Sequence, residues 1–282
     1  DKNNEPSLVN LGYIYLLIQE YNKSEKCYLK ALKLNNKNFH YYKNLGNLYK
    51  RQNRLDDAIK CYKLGLRLNP TNHDIKKGIG LVMLSQKKYK NAWEYFESRI
   101  FVRQNQGPIF SLIKNNLFKN SKIFEEKKLV VVSEQGIGDK ILYSSFYKDL
   151  INSKINIKFI IDPRLETIFK RSFGKYEYIW NNNHNRIKEL IIDNYQFIYA
   201  GNLGKYFRKS VKDFDGKPFL VPDESKVNEY KSILKKYGFK KYIGISWKSS
   251  SKFSGNKSYK INDFKPILIN KNFGIVNLQY GN

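Results

Sequence analysis

The sequence has few of the residues that build metal centres and disulfide frameworks. Its 282 residues include two cysteines and three histidines, which excludes a disulfide-stapled fold. His40, His73 and His184 share no ligand spacing, so we predict no metal site. No apolar run approaches the roughly 20 residues that a membrane-spanning helix needs, and no transmembrane segment is predicted. Unpaired thiols suit a reducing compartment, and we predict a cytoplasmic protein.

Acidic residues are scarce relative to basic ones. The 25 aspartates and glutamates stand against 52 lysines and arginines, which gives a formal net charge of +27. A field of this sign attracts nucleic acid, anionic lipid or phosphorylated ligands. The lysines are nevertheless spread along the whole chain, in the lysine-, asparagine- and isoleucine-rich composition that AT-rich coding sequence produces. We therefore interpret the charge as a solvated surface and predict no nucleic-acid partner, with charge-driven nucleic-acid binding as the alternative.

The first hundred residues contain a repeat with a period of 34 residues. A small residue recurs at this interval, at Gly12, Gly46 and Gly80. An aromatic residue recurs at the same interval, at Tyr28, Tyr62 and Phe96. The pattern resembles the tetratricopeptide repeat (TPR), whose units are pairs of antiparallel helices. The glycines are expected to let paired helices approach closely, while the aromatic rings fill the space between them.

About three TPR units are assigned to residues 1–100. They are expected to stack, because no single hairpin can cover its own apolar face. Cys27 and Cys61 follow the same period, so we interpret them as helix-face residues of the repeat. Stacks of this kind have a groove that usually binds an extended peptide or another protein. Two interpretations stay open: the array binds a partner protein, or it only supports the domain that follows.

After the array, strand-like and helix-like segments alternate. Residues 101–126 lose the repeat pattern, contain the breaker pair Gly107-Pro108 and are predicted to form a connector. The predicted strands lie at 128–133, 155–162, 177–180, 196–201, 241–247 and 273–281. The predicted helices lie at 137–151, 163–173, 186–193 and 224–238. This alternation predicts parallel, doubly wound sheets.

The predicted fold class is therefore α plus α/β. A TPR array is followed by a Rossmann-like domain at residues 127–240 and by the start of a second Rossmann-like domain at 241–282. Two strands and one helix do not make a stable sheet. We therefore expect the sequence to be a fragment that is cut inside its last domain.

The stretch VVVSEQGIGDKIL, residues 130–142, joins a buried-looking strand to a glycine-containing turn. A dinucleotide-binding turn requires a third glycine, but Ile141 occupies that place. Asp162, at the end of the second predicted strand, could serve as the acid that binds a ribose. Asp139 is the larger misfit, because an aspartate at a helix start would repel a pyrophosphate. Nucleotide binding at this turn is therefore disfavoured.

Asp139 itself has two compatible interpretations. An aspartate near a helix start satisfies free backbone N–H groups and stabilises the helix by about 1 kcal/mol. A carboxylate at the mouth of an α/β sheet also lies where such folds place their ligands, and there it can accept a proton from a bound hydroxyl.

Several segments together resemble one family. SEQGIGDKILYSSFYKDL (133–150), DPRL (162–165), YIGISWKSSSKFSGNKSY (242–259) and VNLQYG (276–281) occur in the order of its landmarks, and AWEYFESR (92–99) matches its junction. The sequence resembles bacterial proteins that fuse TPRs to a heptosyltransferase-like glycosyltransferase. The resemblance implies a GT-B fold, two Rossmann-like domains facing across a cleft. It also implies sugar transfer from a nucleotide-sugar donor to a protein or glycan acceptor hydroxyl, with inversion and without a metal or other cofactor.

The resemblance assigns roles to individual residues. Asp139 corresponds to the general base, and Gly136 and Gly138 shape its turn. Lys257, and less directly Ser258, corresponds to the group that binds donor phosphate, where a leaving nucleotide develops negative charge. Trp247 ends the strand that precedes this loop and completes the predicted substrate site. Lys257 has a plain alternative, one more surface lysine in a lysine-rich chain.

Two departures from the family pattern qualify these assignments. Lys248 and Ser249 follow the tryptophan in place of a small Ser-Gly pair, and Lys140 stands where an uncharged residue is commoner. The half that would bind the nucleotide base is not in this sequence, so we expect the fragment alone to be inactive. The alternative to a glycosyltransferase is a non-catalytic TPR scaffold with a degenerate α/β domain.

Overall fold

A computed structural model of the chain describes residues 4–102, 107–119, 122–125, 127–153, 155–247 and 259–279. The chain divides into two compact units, Asp1–Val221 and Pro222–Asn282. Within the described ranges, no helix is both long enough and apolar enough to cross a membrane.

The first six helices form three consecutive hairpins, as the repeat pattern predicts. Their bounds are α1 Glu5–Leu17, α2 Tyr21–Leu34, α3 Phe39–Arg51, α4 Leu55–Leu68, α5 His73–Ser85 and α6 Tyr89–Glu97. Each odd-numbered helix packs on the even-numbered helix that follows it, and α3 contacts both α1 and α5. The stacked helical array that the repeat pattern predicts is therefore confirmed.

Two polar features recur with the period of the hairpins. An asparagine caps the first helix of each hairpin, at Asn4, Asn38 and Asn72. A residue with a left-handed backbone lies in the turn inside each hairpin, at Gln19, Asn53 and Lys87. The caps satisfy backbone N–H groups of the first turn. Asparagine is a preferred residue at this position, so the sequence itself indicates where each helix begins. The left-handed positions carry three different residue types and no glycine, so they have no sequence signal.

Close approach of the helices explains the periodic glycines. A β-carbon at Gly46 would lie 2.6 Å from Cε1 of Tyr62, whose ring is fully buried. In the third hairpin, a β-carbon at Gly80 would lie 2.5 Å from the backbone nitrogen of Phe96. The predicted roles of the glycines and the aromatic rings are therefore confirmed.

A four-stranded parallel sheet follows the array. Its strands are β1 Lys128–Val132, β2 Asn156–Ile161, β3 Glu177–Trp180 and β4 Gln196–Tyr199, and their order is β3-β2-β1-β4. Its helices are α7 Pro108–Ile113, α8 Ile137–Ser144, α9 Tyr147–Ile151, α10 Glu166–Phe173, α11 His184–Ile192 and α12 Gly204–Phe207. In the register, Val131 lies beside Phe159 of β2 on one side and Ile198 of β4 on the other. The predicted parallel α/β architecture is confirmed for this sheet.

One predicted helix is wrong in extent. Residues 137–151 form two short helices, α8 and α9, because the backbone tightens after Ser144. The N–H groups of Ser145 and Phe146 bond to carbonyls three residues earlier, at 3.2 and 3.1 Å. The hydroxyls of Ser144 and Ser145 also bond to carbonyls three residues back, each at 2.7 Å. Serine hydroxyls that compete in this way bend or end helices.

Both faces of the sheet are covered by apolar side chains. On one face, Val131 and Phe159 pack with residues of α8, α9 and α10 and with Trp93 of the third hairpin. On the other face, Val130 and Val132 pack with residues of α7 and α11. The core is therefore continuous from the helical array into the sheet.

The segment predicted as a connector is part of this core. Ile113 and Ile123 are almost completely buried. The N–H of Phe118 donates to the carbonyl of Phe197 at 2.8 Å, beside the end strand β4. This segment therefore protects a sheet edge, which would otherwise present unpaired backbone groups.

The second unit contains α13 Glu224–Lys235, β5 Tyr242–Ile245, α14 Lys265–Leu268 and β6 Gly274–Asn277. Strands β5 and β6 pair in parallel. Helix α13, which the sequence places in the first α/β domain, belongs to this unit and buries none of its side chains. The predicted domain boundary differs from the observed one because the periodicity of α13 predicts a helix but does not indicate which domain the helix joins.

Candidate functional site

The candidate site lies at the carboxyl edge of the four-stranded sheet. From β1 the chain passes to β2 and β3 on one side, and it then returns to β4 on the other side. Parallel sheets of this kind bind ligands where the strand order reverses, outside the carboxyl ends of the two strands that flank this point. Here those ends belong to β1 and β4.

A buried arginine fills this point of reversal. Arg99 comes from the 3₁₀ turn Ser98–Phe101 that follows the array, and only 1% of it is exposed. Its guanidinium forms a two-pronged ion pair with Glu134, the second residue after β1, and its Nε donates to Oε2 at 3.0 Å. Its Nη1 donates to Oδ1 of Asn202, just after β4, at 2.7 Å.

The charges of this cluster are satisfied on every side. The N–H of Gly201 donates to Oε1 of Glu134 at 2.9 Å. The amide of Asn202 donates to Oε1 of Glu97 at 3.0 Å, which brings in the end of α6. The guanidinium also lies 4.4 Å from the ring centroid of Phe96. A β-carbon at Gly201 would collide with Arg99, so no room is left for a phosphate at this point.

Asp139 caps α8, as one of its two interpretations predicts. Its Oδ2 accepts the N–H of Gly136 at 3.2 Å across the first turn of the helix. Among the described residues, no hydrogen bond reaches Oδ1. The left-handed residue of this turn is Gln135, with φ 63°, and Gly136 has an extended backbone that other residues adopt. The expectation that the glycines bend the chain is therefore corrected: Gln135 makes the bend.

Asp162 has no acceptor position left for a ribose. Its Oδ1 accepts the backbone N–H and Nε of Arg164, at 3.1 and 2.9 Å. Its Oδ2 accepts Nη2 of Arg164 and Nζ of Lys140, each at 2.8 Å. Hydrogen bonds from Arg164 and then from Lys140 hold the pKa of the Asp162 carboxyl far below its usual range. This arrangement also explains the lysine after Asp139, since it pairs with a buried acid.

A cavity of about 660 Å³ adjoins Asp139 within the first unit. Its apolar lining comes from the third hairpin, from α8 and the residue that precedes α9, and from the segment 208–219. The residues are Leu81, Leu84, Phe96, Leu142, Phe146, Phe214 and Phe219. Arg208 and Asp149 pair across its rim at 2.9 Å, and the Arg208 guanidinium lies 5.2 Å from the ring centroid of Phe146. The arrangement can hold a largely apolar group with a hydroxyl turned toward Asp139.

The remaining predicted site residues lie in the second unit. The N–H of Trp247 donates to Oε1 of Gln279 at 3.1 Å, and its carbonyl accepts the N–H of Tyr259 at 2.8 Å. Trp247 thus ties the end of β5 to the end of β6. Lys257 and Ser258 lie outside the described residues. The structure therefore places Asp139 and Gly136 in one turn beside a cavity. Phosphate binding by Lys257 and Ser258 stays a prediction.

Sequence reasoning missed Arg99, Glu134 and Asn202. Arg99 and Glu134 both lie in segments that carry the family resemblance, but no role followed from that resemblance. A signal existed, because an acid directly after a fully apolar strand needs a buried partner. The partner itself could not be identified, since 35 residues separate the two.

Two segments match family models for the tetratricopeptide repeat, residues 5–38 and 41–72. The N-terminal part of the chain is therefore a TPR array, of the class that serves protein–protein interaction. Over 216 residues the chain is 26% identical to Protein FlbA of Caulobacter vibrioides, which corresponds to 71% of this chain and 36% of that protein. The chain thus spans about a third of the length of this curated relative.

Solved structures of helical arrays are also similar to part of the chain. The crystal structure of MamA is 26% identical, covers 40% of this chain and 65% of its own, and has a TM-score of 0.34. PilF of Pseudomonas aeruginosa is 26% identical, with coverages of 38% and 49% and a TM-score of 0.34. The Arabidopsis OM64 TPR domain is 21% identical, with coverages of 37% and 88% and a TM-score of 0.35.

Proposed function

We propose that this chain is the acceptor-side part of a glycosyltransferase in which Asp139 is the general base. One observation carries the proposal: the carboxylate is anchored through Oδ2 at the start of α8, while Oδ1 is left to meet a ligand beside the cavity. A carboxylate held in this way needs no reorganisation when a hydroxyl binds. The apolar lining excludes water from the acceptor.

The proposed step moves one proton and one sugar. Asp139 accepts the proton of the acceptor hydroxyl as its oxygen attacks the anomeric carbon of the donor. The new carbon–oxygen bond forms on the face opposite the nucleotide, and the bond to the nucleotide phosphate breaks. Its electron pair leaves with the phosphate, so the products are an inverted glycoside and a free nucleotide. Asp139 then releases its proton to solvent, and neither a metal nor another cofactor takes part.

The helical array is proposed to hold the acceptor or a partner protein. Support comes from the cavity, because Leu81 and Leu84 of α5 line the same cavity as Asp139. A chain bound along the array could therefore reach the carboxylate without leaving the first unit. The acceptor is proposed to be a protein or a glycan, and the protein is proposed to act in the cytoplasm, where the buried thiols Cys27 and Cys61 stay reduced.

Donor binding is proposed for a different place from the strand-order reversal, because Arg99 and Glu134 fill that point. Lys257 and Ser258 are proposed to bind the donor phosphates, with Trp247 beside them. The GT-B arrangement and the rest of the donor site are proposals for the longer protein, since this chain spans about a third of its curated relative.

The test is Asp139→Asn in the complete protein. Nucleotide release from UDP-, GDP- and CMP-sugars reports transfer to any acceptor, water included. We expect release to fall by about 10²- to 10⁴-fold, because a positioned base contributes that much. Asp193→Asn is the matched control, since it removes an exposed carboxylate after α11 and is expected to leave the rate unchanged. Equal rates for wild type and Asp139→Asn would reject the base assignment.

A non-catalytic scaffold is the second candidate function. The buried cluster of Arg99, Glu134 and Asn202 favours it, because it replaces the usual ligand position of the sheet with structural contacts. The same assay separates the two functions. If the complete protein releases nucleotide from none of the donors, the scaffold is the correct assignment.

A further inference from the structure

Residues 226–241, here called the basic segment, have a high density of lysine. The segment covers most of α13 and the turn that leads to β5. Its last twelve residues, YKSILKKYGFKK, include five lysines and no acid, whereas the whole chain has a net charge of +27 over 282 residues. All five lysines are exposed, and none of them forms an ion pair with another residue that the structure describes. The basic segment therefore concentrates positive charge at the surface of the second unit.

Large apolar side chains are exposed on the same segment. Tyr230, Ile233 and Tyr237 have exposed fractions of 60%, 39% and 69%. The N–H groups of residues 236–238 bond to carbonyls three residues earlier, so the helical turn continues past the end of α13 to Gly238. Because the three side chains are spaced by three and four residues, they lie on one face of this helix. The basic segment thus has an apolar face among its lysines.

The fold of the second unit does not use this apolar face. In α13 the partly buried side chains are Val227 and Leu234, which are seven residues apart and share a different side of the helix. The hydroxyl of Tyr242 on β5 also donates to the carbonyl of Leu234. The helix is therefore attached to its unit by another side, and the side chains of Tyr230 and Tyr237 are turned to solvent.

The helix dipole explains only part of this composition. Cations in the last turn of a helix interact favourably with its carbonyl end, which accounts for Lys235 and Lys236. It does not account for Lys231, which lies inside the helix, or for Lys240, which follows its end. Nor does a dipole require large apolar side chains at exposed positions. The coincidence of lysines with an exposed apolar face therefore needs a ligand that suits both.

A lipid surface of negative charge matches both properties. Lysine ammonium groups are attracted to anionic headgroups, and an apolar helix face enters the boundary between headgroups and acyl chains. Tyrosine suits this depth because its ring is apolar while its hydroxyl stays hydrated. A folded protein domain matches less well, since the cores of protein–protein interfaces are depleted of lysine.

Single-stranded nucleic acid is the other ligand that combines aromatic side chains with cations. Such strands bind in positively charged grooves, where their bases stack on the rings. The apolar face of the basic segment lies instead on the convex surface of a helix. The segment also has no arginine, the residue that binds phosphate through two parallel hydrogen bonds. Shape and side-chain chemistry therefore favour the lipid surface.

We propose that the basic segment attaches the protein to the surface of an anionic lipid bilayer. The helix lies in the plane of the surface, with Tyr230, Ile233 and Tyr237 at the headgroup boundary and the lysines on the headgroups. The proposal goes beyond the proposed function and does not depend on sugar transfer. It agrees with the proposed cytoplasmic location, because the cytoplasmic leaflet of a membrane carries the anionic lipids.

The experiment measures co-sedimentation of the chain with vesicles of phosphatidylcholine and phosphatidylglycerol. About one lipid in three is anionic, and the salt is about 50 mM, where surface charges are weakly screened. The charge variant is Lys231→Gln/Lys235→Gln/Lys236→Gln. The matched control removes the same charge from exposed positions on α2 and α4, in Lys30→Gln/Lys33→Gln/Lys63→Gln. Circular dichroism melting checks the fold of each variant, and Lys231→Gln alone replaces the charge variant if that variant unfolds.

We expect the charge variant to bind the vesicles about 10²-fold more weakly, because each lysine near an anionic surface contributes about fivefold. The control variant should bind less than about twofold more weakly, since its lysines lie away from the lipid. Vesicles of phosphatidylcholine alone should not bind. Equal weakening by both variants would show general charge attraction and overturn the proposal, as would the absence of binding by the wild-type chain.

The apolar face is tested separately by Tyr237→Ser. We expect this variant to bind about threefold or more weakly, because interfacial binding scales with the apolar area that is buried. Tyr13→Ser is its matched control, since Tyr13 on α1 is 54% exposed and lies outside the basic segment. Unchanged binding by Tyr237→Ser would contradict insertion of the apolar face.

Two further arms distinguish the other possible ligands. The complete protein should bind the same vesicles, and a complete protein that does not bind would mean that another of its parts covers the basic segment, which overturns the proposal. An oligouridylate is the second arm. If this RNA releases the chain from the vesicles and binds neither the charge variant nor Tyr237→Ser, the segment is reassigned to nucleic acid. No sugar nucleotide is present, so failure here is distinct from failure of the proposed transfer.

Discussion

Arg99 at the end of the helical array forms a buried ion pair with Glu134 at the end of β1. The pair is almost inaccessible to solvent, and 35 residues of chain separate its members. It joins the array to the sheet where a parallel sheet usually holds its ligand. The pair therefore has a structural role, which makes its removal a sharp test.

We expect Arg99→Met to lower the free energy of unfolding by about 3–5 kcal/mol, because it leaves the carboxylate of Glu134 buried and unpaired. Urea unfolding monitored by circular dichroism measures the loss. Arg67→Met, at an exposed position on α4, is the control and should cost less than about 0.5 kcal/mol. The double variant Arg99→Met/Glu134→Gln should recover part of the loss. If the double variant is as unstable as Arg99→Met, the pairing argument is wrong.

The periodic glycines give a second prediction. Gly80→Ala should destabilise the chain by about 1–3 kcal/mol, because its β-carbon would press on backbone atoms of Phe96 and separate two helices. Gly138→Ala is the control, since nothing lies within 4 Å of the added carbon. There the better helix propensity of alanine should stabilise α8 by up to about 1 kcal/mol. Thermal melting of both variants measures these changes in stability. A loss of stability in Gly138→Ala would contradict the open surroundings of that position.

The third prediction concerns two buried tyrosines. Removal of their hydroxyl groups is expected to change the stability of the chain in opposite directions. The hydroxyl of Tyr147 is buried and finds no partner among the described residues. Burial is also the main cause that raises its pKa. Tyr147→Phe should therefore leave the chain equally stable or stabilise it by about 1 kcal/mol. Tyr62→Phe, which deletes a hydrogen bond to Asn47, should destabilise it by about 1 kcal/mol. Equal losses in urea unfolding would mean that Tyr147 has a partner.

Local sequence patterns predicted most helices and strands correctly. They could not predict which residues far apart in the sequence contact one another. The run Leu129–Val132 is apolar and ends in three β-branched valines, which predicts a buried strand, and it forms most of β1. The break between α8 and α9 depends on hydroxyls that bond to their own helix, a detail that helical periodicity does not contain.

The candidate site was predicted only in part. Asp139 was identified by its position after a strand and a turn, and its helix-capping contact is confirmed. Its cavity was not predictable, because the walls come from α5 and from the segment 208–219, far apart in sequence. The role of Arg99 was hidden for the same reason, since only the fold brings it to Glu134.

Trp93 shows how little the array can be treated as a replaceable module. Its indole N–H donates to the carbonyl of Arg208, and its ring lies so close to Gly204 that a β-carbon there would collide with it. The same ring packs edge-on against Phe146. An exchange of this array for another of similar shape would therefore remove part of the lining that the sheet relies on. A working exchange would have to reproduce these contacts with Arg208, Gly204 and Phe146, residue against residue.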